Sequence, residues 1–363
     1  MDFGIFALMQ HRDQTKAARQ IIRETVEQTR AADSLGFGAA WFAEHHFNNY
    51  CLCPSPLMMV AHCAGLTQRI RLGSAVVVAP LYHPPRLIEE IAMVDQLSNG
   101  RLNVGIGGGY QQYEFERFGA TLDHAKERTL ETLDMIELGL TQKKFSYDGQ
   151  YLSQPTTAIS IRPMQAPTPP IWVATADPRL MRRAIAREHH VFISGWLGGG
   201  KLLTGFREQI DKLAIEEGKI PQNVKVGFLR FAFASEKADE VRHYLDCARY
   251  QQRIAVSLKS RHESIEDDYM VQERPFEDEI SLERMAQNLP VGSVDTVIER
   301  MVRDLRIVKP VHVAIQTQIG DMDHRTMLRQ LELWAKVIIP AIQRELDSDE
   351  AAGRSVPSAE IRA

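Results

Sequence analysis

The sequence has little cysteine, no long apolar run and no excess of basic charge. Only four of its 363 residues are cysteines, at positions 51, 53, 63 and 247, too few and too uneven for a disulfide framework. No segment has the roughly 18 consecutive apolar residues that span a bilayer, and the first residues lack the pattern of a signal peptide. The net charge of −4 gives no electrostatic case for nucleic acid. These absences predict a cytoplasmic protein that binds neither membranes nor nucleic acids.

Several catalytic signatures are also missing. The turn after the first predicted strand, Met9 to Arg12, has no glycine, which argues against a dinucleotide-binding fold. There is no Gly-x-Ser-x-Gly turn, no P-loop and no pair of carboxylates at strand ends. Cys51 and Cys53 lack zinc-ligand spacing, and His62 and Cys63 fall within a predicted helix, so we predict no metal. A chain of this kind is typical of an enzyme whose cofactor supplies the chemistry.

What is present is a regular alternation of apolar strands and amphipathic helices. Strands are predicted at 2–8, 38–43, 70–79, 101–107, 171–175, 190–194, 224–234 and 310–316. Helices are predicted at 16–35, 56–66, 85–98, 125–141, 178–188, 201–218, 236–253, 293–306 and 324–346. Eight strand–helix units favour a closed (β/α)8 TIM barrel. We predict one barrel domain over 1–346, with loop insertions at 143–167 and 257–285 and a disordered polar tail at 347–363.

Polar residues and glycines lie where the predicted strands end, which is the edge that carries the active site of such a barrel. The second strand leads into Glu44-His45-His46. Because side chains alternate along a strand, one histidine should face the mouth, where it can move a proton or bind a ligand. The alternative is a pair of structural histidines. The fourth strand ends in three adjacent glycines before Tyr110, which permit either close approach to a flat ligand or a tight turn.

Two later turns have features of a phosphate site. Thr175-Ala176-Asp-Pro-Arg179 enters a helix at its N-terminus, where backbone N–H groups attract anions, and Arg179 adds positive charge. Three glycines followed by Lys201 form a similar turn, although Lys201 is equally compatible with solvent exposure. We expect one of these two loops to bind phosphate if the ligand carries it.

Read together, these segments resemble the bacterial-luciferase-like superfamily of flavin-dependent monooxygenases. The motifs that carry the resemblance are Phe-Ala-Glu-His-His-Phe (42–47), Leu-Tyr-His-Pro (81–84), Asp-Gln-Leu-Ser-Asn-Gly-Arg (95–101), Glu-Phe (114–115), Phe-Gly (118–119), Pro-Ile-Trp-Val-Ala (170–174) and Leu-Trp-Ala-Lys-Val-Ile-Ile-Pro (333–340). The resemblance implies a barrel that binds FMN as FMNH2, delivered by a separate NAD(P)H:flavin reductase. It implies that O2 adds to the flavin, and that the resulting C4a-peroxide oxygenates a small organic substrate. It also implies a homodimer.

The resemblance further implies roles for individual residues. His45 matches the histidine that is important for activity, and we assign it, with Glu44 beside it, to proton handling or peroxyflavin stabilisation. The Ala75–Val76 bond matches a non-prolyl cis peptide that lies under the isoalloxazine ring. Glu114 matches an acidic position near the flavin. The insertion at 257–285 falls where the family has a mobile loop that closes over the flavin.

One departure concerns the phosphate. Gly108, next to Gly107, stands where luciferase has an arginine for the flavin phosphate. The phosphate must then bind elsewhere, and we assign it to Thr175, Ala176 and Arg179.

The substrate side and two alternatives stay open. A pocket lined by Phe6, Phe42, Tyr110 and Trp196 would suit an apolar or aromatic compound, although all four could equally be core. Aldehyde oxidation, Baeyer–Villiger insertion, hydroxylation and carbon–sulfur cleavage are all compatible with the sequence. An F420-dependent oxidoreductase that transfers hydride is the first alternative function. A non-catalytic, flavin-binding partner subunit is the second, and retention of His45 argues against it.

Overall fold

Eight parallel strands close into a barrel in the computed structural model, which describes residues 1–316 and 318–351, apart from the side chains of 349–351. The barrel strands are β1 (Asp2–Ala7), β2 (Ala39–Phe42), β3 (Arg71–Ser74, continued at Val77–Val78), β4 (Leu102–Gly107), β5 (Ile171–Ala174), β6 (His190–Ser194), β7 (Val226–Phe231) and β8 (His312–Gln316). The ring closes because β1 pairs with β8 and β3 pairs with β4. The predicted fold class is confirmed.

Helices surround the barrel at the predicted places, with differences at their ends. They are α1 (Ala18–Leu35), α2 (Pro56–Ala64), α3 (Pro84–Leu97), α4 (Gln112–Arg117), α5 (Ala125–Thr141), α6 (Pro178–Ala186), α7 (Gly200–Glu216), α8 (Ala238–Ser260), α9 (Leu282–Asn288), α10 (Val294–Val308), α11 (His324–Leu333) and α12 (Ile339–Ala351). The predicted helix 236–253 continues to Ser260. A π-helical segment, Trp334–Ile338, divides the predicted helix 324–346 into α11 and α12.

The C-terminal helix extends further than predicted, and both predicted insertions contain short strands. Helix α12 runs to Ala351, past the predicted boundary at 346, and the rest of the predicted tail lies outside the described residues. The first insertion contains a β-hairpin, Phe145–Asp148 with Ser153–Thr157. The second holds a two-residue ladder, Ile265–Glu266 with Tyr269–Met270. Within the described residues, no helix has the length and apolar character needed to cross a membrane.

Side chains alternate between the barrel interior and the helical shell. Trp41, Trp172 and Phe192 fill the interior towards the N-terminal ends of the strands, and the rings of Trp41 and Trp172 meet edge-on at 5.1 Å. The Trp41 indole N–H donates to His312 Nε2 at 2.8 Å. Because these large rings occupy one end, the opposite end of the interior, at the C-terminal ends of the strands, is left to smaller residues. This end is the barrel mouth.

The third strand is interrupted where the sequence reads as one continuous apolar run. Its peptide bond Ala75–Val76 is cis, as the resemblance implied. The neighbouring strand accommodates the interruption through glycines. A Cβ at Gly105 would lie 1.9 Å from the Ser74 carbonyl oxygen, and one at Gly107 would lie 2.7 Å from Val76 Cγ2. These two glycines are therefore required by the close contact between β3 and β4.

Candidate functional site

Four partly exposed residues that pack against the cluster of buried apolar residues inside the barrel (the inner cluster) lie at the barrel mouth. Ala75 follows β3, Ala174 ends β5, and Tyr110 and Trp196 lie on the loops after β4 and β6. With Gly107 they form a bed of small side chains flanked by aromatic ones. A planar ligand placed on this bed would cover apolar surface that is otherwise open to water.

The predicted aromatic residues do not all reach this mouth. Phe6 is 8% exposed and packs with Trp41 inside the barrel, beneath the bed. Phe42 is fully buried on the opposite face of β2, against the helical shell. The alternation of side chains along a strand explains why Phe42 and Trp41 face opposite ways. Tyr110 and Trp196 are the two that line the opening.

His45 is held at the mouth by a buried carboxylate. Its Nδ1 lies 2.9 Å from Glu114 Oε1, and the same oxygen accepts the His46 backbone N–H at 2.7 Å. The Glu114 side chain is 1% exposed, whereas His45 keeps 12%. Because Glu114 Oε1 already accepts the His46 N–H, it acts as an acceptor towards His45 as well, which favours the tautomer with hydrogen on Nδ1. The His45 Nε2 has no hydrogen bond among the described residues and is left for a ligand.

Two tyrosines enclose the His45 imidazole. The rings of Tyr50 and Tyr110 lie 4.7 Å and 5.7 Å from it, both edge-on, and their hydroxyls lie 3.4 Å apart. Burial raises the pKa of Tyr110 to about 12 and that of Tyr50 well above its ordinary value. Both phenols therefore stay protonated near neutral pH and can donate hydrogen bonds. Tyr50 was not among the predicted site residues.

Glu44 belongs to a second cluster behind this one. Its Oε1 lies 3.0 Å from His46 Nε2, and its Oε2 accepts from the Tyr82 hydroxyl at 2.8 Å and the Val78 N–H at 3.3 Å. Burial is the largest influence on the Glu44 carboxyl and raises its pKa. His45 and His46 thus point to different carboxylates, as predicted, but both lie in the loop after β2, so strand alternation is not the cause. Glu44 fixes the chain around the second half of β3 and makes no hydrogen bond to His45.

The predicted phosphate loop is already rich in internal ion pairs. The Asp177 carboxylate caps α6 by accepting the Arg179 N–H at 2.9 Å. The Arg179 guanidinium pairs with Asp177 and with Glu127 on α5, while Lys126 also reaches Asp177 at 2.9 Å. Hydrogen bonds from arginine and lysine lower the Asp177 pKa to about 2, against the opposing effect of burial. Thr175 is half-buried and Ala176 is exposed.

Gly108 lies between this loop and the start of α5. A Cβ there would be 3.3 Å from Thr129 Oγ1, 3.9 Å from the Ala125 carbonyl oxygen and 4.0 Å from Leu180 on α6. The N-terminal turns of two helices therefore converge beside Gly108. Arg128 lies on the same turn of α5 and makes no side-chain hydrogen bond or ion pair with any described residue.

The second insertion lies over the mouth. The Met270 N–H donates to Asn49 Oδ1 at 2.9 Å, and the Tyr269 hydroxyl donates to the Arg12 carbonyl. Met270 is 3% exposed and packs into the inner cluster. Asn49 also donates to the Tyr250 hydroxyl at 2.8 Å, which connects the insertion to α8. The second insertion therefore packs against the loops after β1 and β2, and its role as a cover over a ligand stays a prediction.

A buried ion pair positions the Trp196 loop. Arg230 and Asp304 are both 0% exposed and lie 2.7 Å apart. Arg230 also donates to the carbonyls of Gly198 at 2.8 Å and Asn288 at 2.7 Å, which joins the loop after β6 to the end of α9. Burial lowers the Arg230 pKa below its ordinary value, against the attraction of Asp304. Trp196 adopts a φ of +41°, a conformation that such an anchored loop can hold.

Two buried amide groups near the mouth have an atom without a partner among the described residues. Gln10 Oε1 accepts the Gly320 N–H at 2.7 Å, so its unpaired atom is the Nε2 donor. Gln111 donates to the Tyr110 hydroxyl at 3.2 Å, and its Oε1 is unpaired. Buried polar atoms are usually hydrogen-bonded, so these two are available to pair with a bound group. With the bed of small residues, they fit a planar heterocycle that offers both donors and acceptors, such as a flavin.

The Glu114 contact makes a testable prediction. Glu114→Gln keeps the shape of the side chain and its accepting oxygen but removes its charge, so the imidazole loses the negative charge that would stabilise its protonated form. We expect kcat to fall about 10- to 100-fold, the range found for carboxylates that orient metal-bound histidines. KM and the thermal midpoint should change little. A fall in thermal midpoint that accounts for the lost activity would instead show that Glu114 only supports folding.

Comparisons with known proteins found a matching family, related sequences and similar folds. A family model for luciferase-like monooxygenases matches residues 1–307. An uncharacterized protein of Sinorhizobium fredii is 47% identical over 351 residues, covering 97% of this chain and 100% of that one. The oxygenase component of the flavin-dependent trigonelline monooxygenase of Acinetobacter baylyi is 37% identical over 180 residues, covering 49% of this chain and 50% of that one. The crystal structure of a Streptomyces bottropensis monooxygenase superposes with a TM-score of 0.81 at 23% identity, covering 94% of this chain and 99% of that one.

Proposed function

This chain belongs to the family of luciferase-like monooxygenases, and on that premise we propose that it is the oxygenase of a two-component system that uses FMNH2 and O2 to oxygenate a small organic molecule. One observation carries the proposal. A histidine whose Nδ1 is fixed by a buried carboxylate presents a free Nε2 at the edge of a bed of small residues. That arrangement suits proton handling beside a planar cofactor.

The residues at the mouth have different proposed roles. When bound, the reduced flavin would supply the electrons that activate O2. Ala75, Gly107 and Ala174 would seat its ring system, and His45 would hold or deliver a proton at Nε2. Glu114 would stabilise the imidazolium when His45 carries a second proton. Met270, through its insertion, would exclude water from the reacting groups.

We propose that the flavin phosphate binds between Gly108, Thr175 and the first turn of α5. Two helix N-termini meet there, and helix N-termini attract anions. Of the nearby cations, Arg179 is engaged by two carboxylates, whereas Arg128 is unpaired among the described residues. Arg128 is therefore the better candidate for a direct contact, and Arg179 acts by holding the loop.

This assignment predicts how two variants will behave. Arg128→Met should weaken FMNH2 binding about tenfold, the loss of one charge-assisted contact of about 1.4 kcal/mol. Binding of reduced riboflavin, which lacks the phosphate, should not change. Arg179→Met should have a smaller effect on either ligand. If Arg128→Met weakened the binding of FMNH2 and of reduced riboflavin equally, the phosphate would have to bind at another place.

The partners and the location extend the proposal beyond the family. An oxygenase that uses free FMNH2 requires a separate NAD(P)H:flavin reductase, and the Acinetobacter relative is named as an oxygenase component. We also propose a homodimer located in the cytoplasm. The organic substrate is a small molecule that fits beside Tyr110 and Trp196.

Anaerobic titration tests the choice of cofactor. The proposal expects saturable binding of FMNH2 at micromolar concentration and much weaker binding of oxidised FMN and of reduced F420. Tighter binding of reduced F420 than of FMNH2 would contradict the proposal and favour the F420-dependent oxidoreductase that transfers hydride. Tight FMNH2 binding without any oxygen-dependent reaction would indicate the flavin-binding partner subunit.

A further inference from the structure

Three side chains at the rim of the barrel form a group suited to a metal ion. They are His243 and Cys247 on α8 and Asp321 on the loop between β8 and α11. We propose that this group binds a divalent transition-metal ion, with Zn²⁺ the best match. The proposal is independent of the flavin chemistry, because none of the three residues belongs to the catalytic site described above.

The distances within the group match a tetrahedral ion. The thiol sulfur of Cys247 lies 3.1 Å from Asp321 Oδ1 and 3.9 Å from His243 Nε2, and these last two atoms lie 3.4 Å apart. Zinc bonds of the usual lengths at tetrahedral angles place such ligand atoms about 3.3–3.6 Å from one another. An ion could therefore enter with movements of a few tenths of an ångström. The three ligand types, imidazole, thiolate and carboxylate, are those that zinc prefers.

Local structure explains why the three residues meet. His243 and Cys247 are four residues apart on one helix, so their side chains lie on the same face. The loop carrying Asp321 approaches Cys247 closely only because residue 320 is glycine: a Cβ there would lie 2.7 Å from the sulfur. The Gly320 φ of +57° also favours glycine. The hydrogen bond from Gly320 to Gln10 fixes the loop in this position.

Exposure allows an ion to enter. Cys247 is buried, whereas the His243 and Asp321 side chains are 45% and 36% exposed. The group therefore opens to solvent on the side opposite the thiol. Three protein ligands leave a fourth position for water or an external ligand. On binding, the sulfur would exchange its proton for the metal, so one proton is released for each ion bound.

Among the described residues, Arg12 is the cation whose contacts with the group oppose an ion. Its Nη1 lies 3.6 Å from both Asp321 Oδ1 and the Cys247 sulfur. The guanidinium is held more closely by Asp246 at 2.8 Å, and it also reaches Glu273 at 3.3 Å. These two carboxylates offset the positive charge of Arg12, so Arg12 repels a bound ion only weakly.

Cobalt(II) provides a spectroscopic test that does not depend on turnover. The full-length protein, reduced and freed of metal by a chelator, is titrated with Co²⁺, and the absorption band of a cobalt-bound thiolate is recorded. We expect the band to saturate at one equivalent and to disappear on addition of Zn²⁺. Cys247→Ser should abolish it, while Cys63→Ser, which alters a buried cysteine outside the group, should leave it unchanged.

Two further variants decide the matter if Cys247→Ser does not fold. His243→Asn and Asp321→Asn change partly exposed side chains, and each should weaken Co²⁺ binding at least about tenfold. The proposal is overturned if the wild type shows no thiolate band. It is equally overturned if the band survives Cys247→Ser, or if both exposed variants bind Co²⁺ as tightly as the wild type.

Discussion

Replacing His45 by alanine is expected to abolish turnover while leaving FMNH2 binding nearly unchanged. Among the described groups at the mouth, the free Nε2 of His45 is the one best suited to accept and deliver a proton, because Tyr50 and Tyr110 stay protonated. Loss of a positioned acid–base group costs about 10²- to 10⁴-fold in rate. The imidazole lies beside the bed and is not part of it, so the affinity for the cofactor should survive.

Two quantities are compared between His45→Ala and the wild type. The first is kcat, measured with a substrate found by screening the wild type. The second is the affinity for FMNH2, measured by anaerobic titration. His83→Ala is the matched control, because His83 is exposed at the start of α3 and its side chain makes no capping hydrogen bond. We expect the control to match the wild type in both measurements. Turnover by His45→Ala within threefold of the wild type would remove His45 from the mechanism.

Removing the charge of Asp304 is expected to cause a larger loss of unfolding free energy than any other substitution named above. Asp304→Asn preserves the shape of the side chain but leaves the Arg230 guanidinium buried without its counter-ion. Breaking one partner of a buried ion pair costs about 3–5 kcal/mol of unfolding free energy. Because Arg230 also anchors Gly198 and Asn288, the loop carrying Trp196 should become more mobile before the protein unfolds.

Urea denaturation of Asp304→Asn measures this loss. Glu299→Gln supplies the control, since Glu299 is an exposed carboxylate on the same helix and its change should cost less than about 0.5 kcal/mol. Limited proteolysis then reports whether the chain near Trp196 is cut first. A free-energy difference below about 1 kcal/mol between the two variants would show that the buried pair contributes little to stability.

The sequence predicts well those features that depend on short-range periodicity. The eight barrel strands lie where apolar runs occur, because a strand buried on both faces needs such a run. The divergence of His45 and His46 was predicted from strand alternation, but both residues lie in the loop after β2, so the conformation of that loop is its cause. The cis bond at Ala75–Val76 was available only through family resemblance, since nothing in the apolar run itself marks it.

Contacts between segments that are far apart in the sequence could not be predicted from periodicity or motifs. Glu114 reaches His45 across 69 positions, and Arg230 reaches Asp304 across 74. Arg230 did carry a signal, as the single charge within the apolar stretch that forms β7. Tyr50 carried none, because its position beside His45 depends on how the loop after β2 folds back over the mouth. The pairing of Arg179 with Glu127 likewise depends on how α5 packs beside α6.

Rapid mixing with oxygen tests the central proposal most directly. The purified protein is saturated with FMNH2 without oxygen and then mixed with O2 while the flavin absorbance is recorded. Our account predicts an absorbance transient between the reduced and oxidised forms that lasts longer than any seen with free FMNH2. Reoxidation of the bound flavin at the rate and with the spectra of free FMNH2 would contradict it.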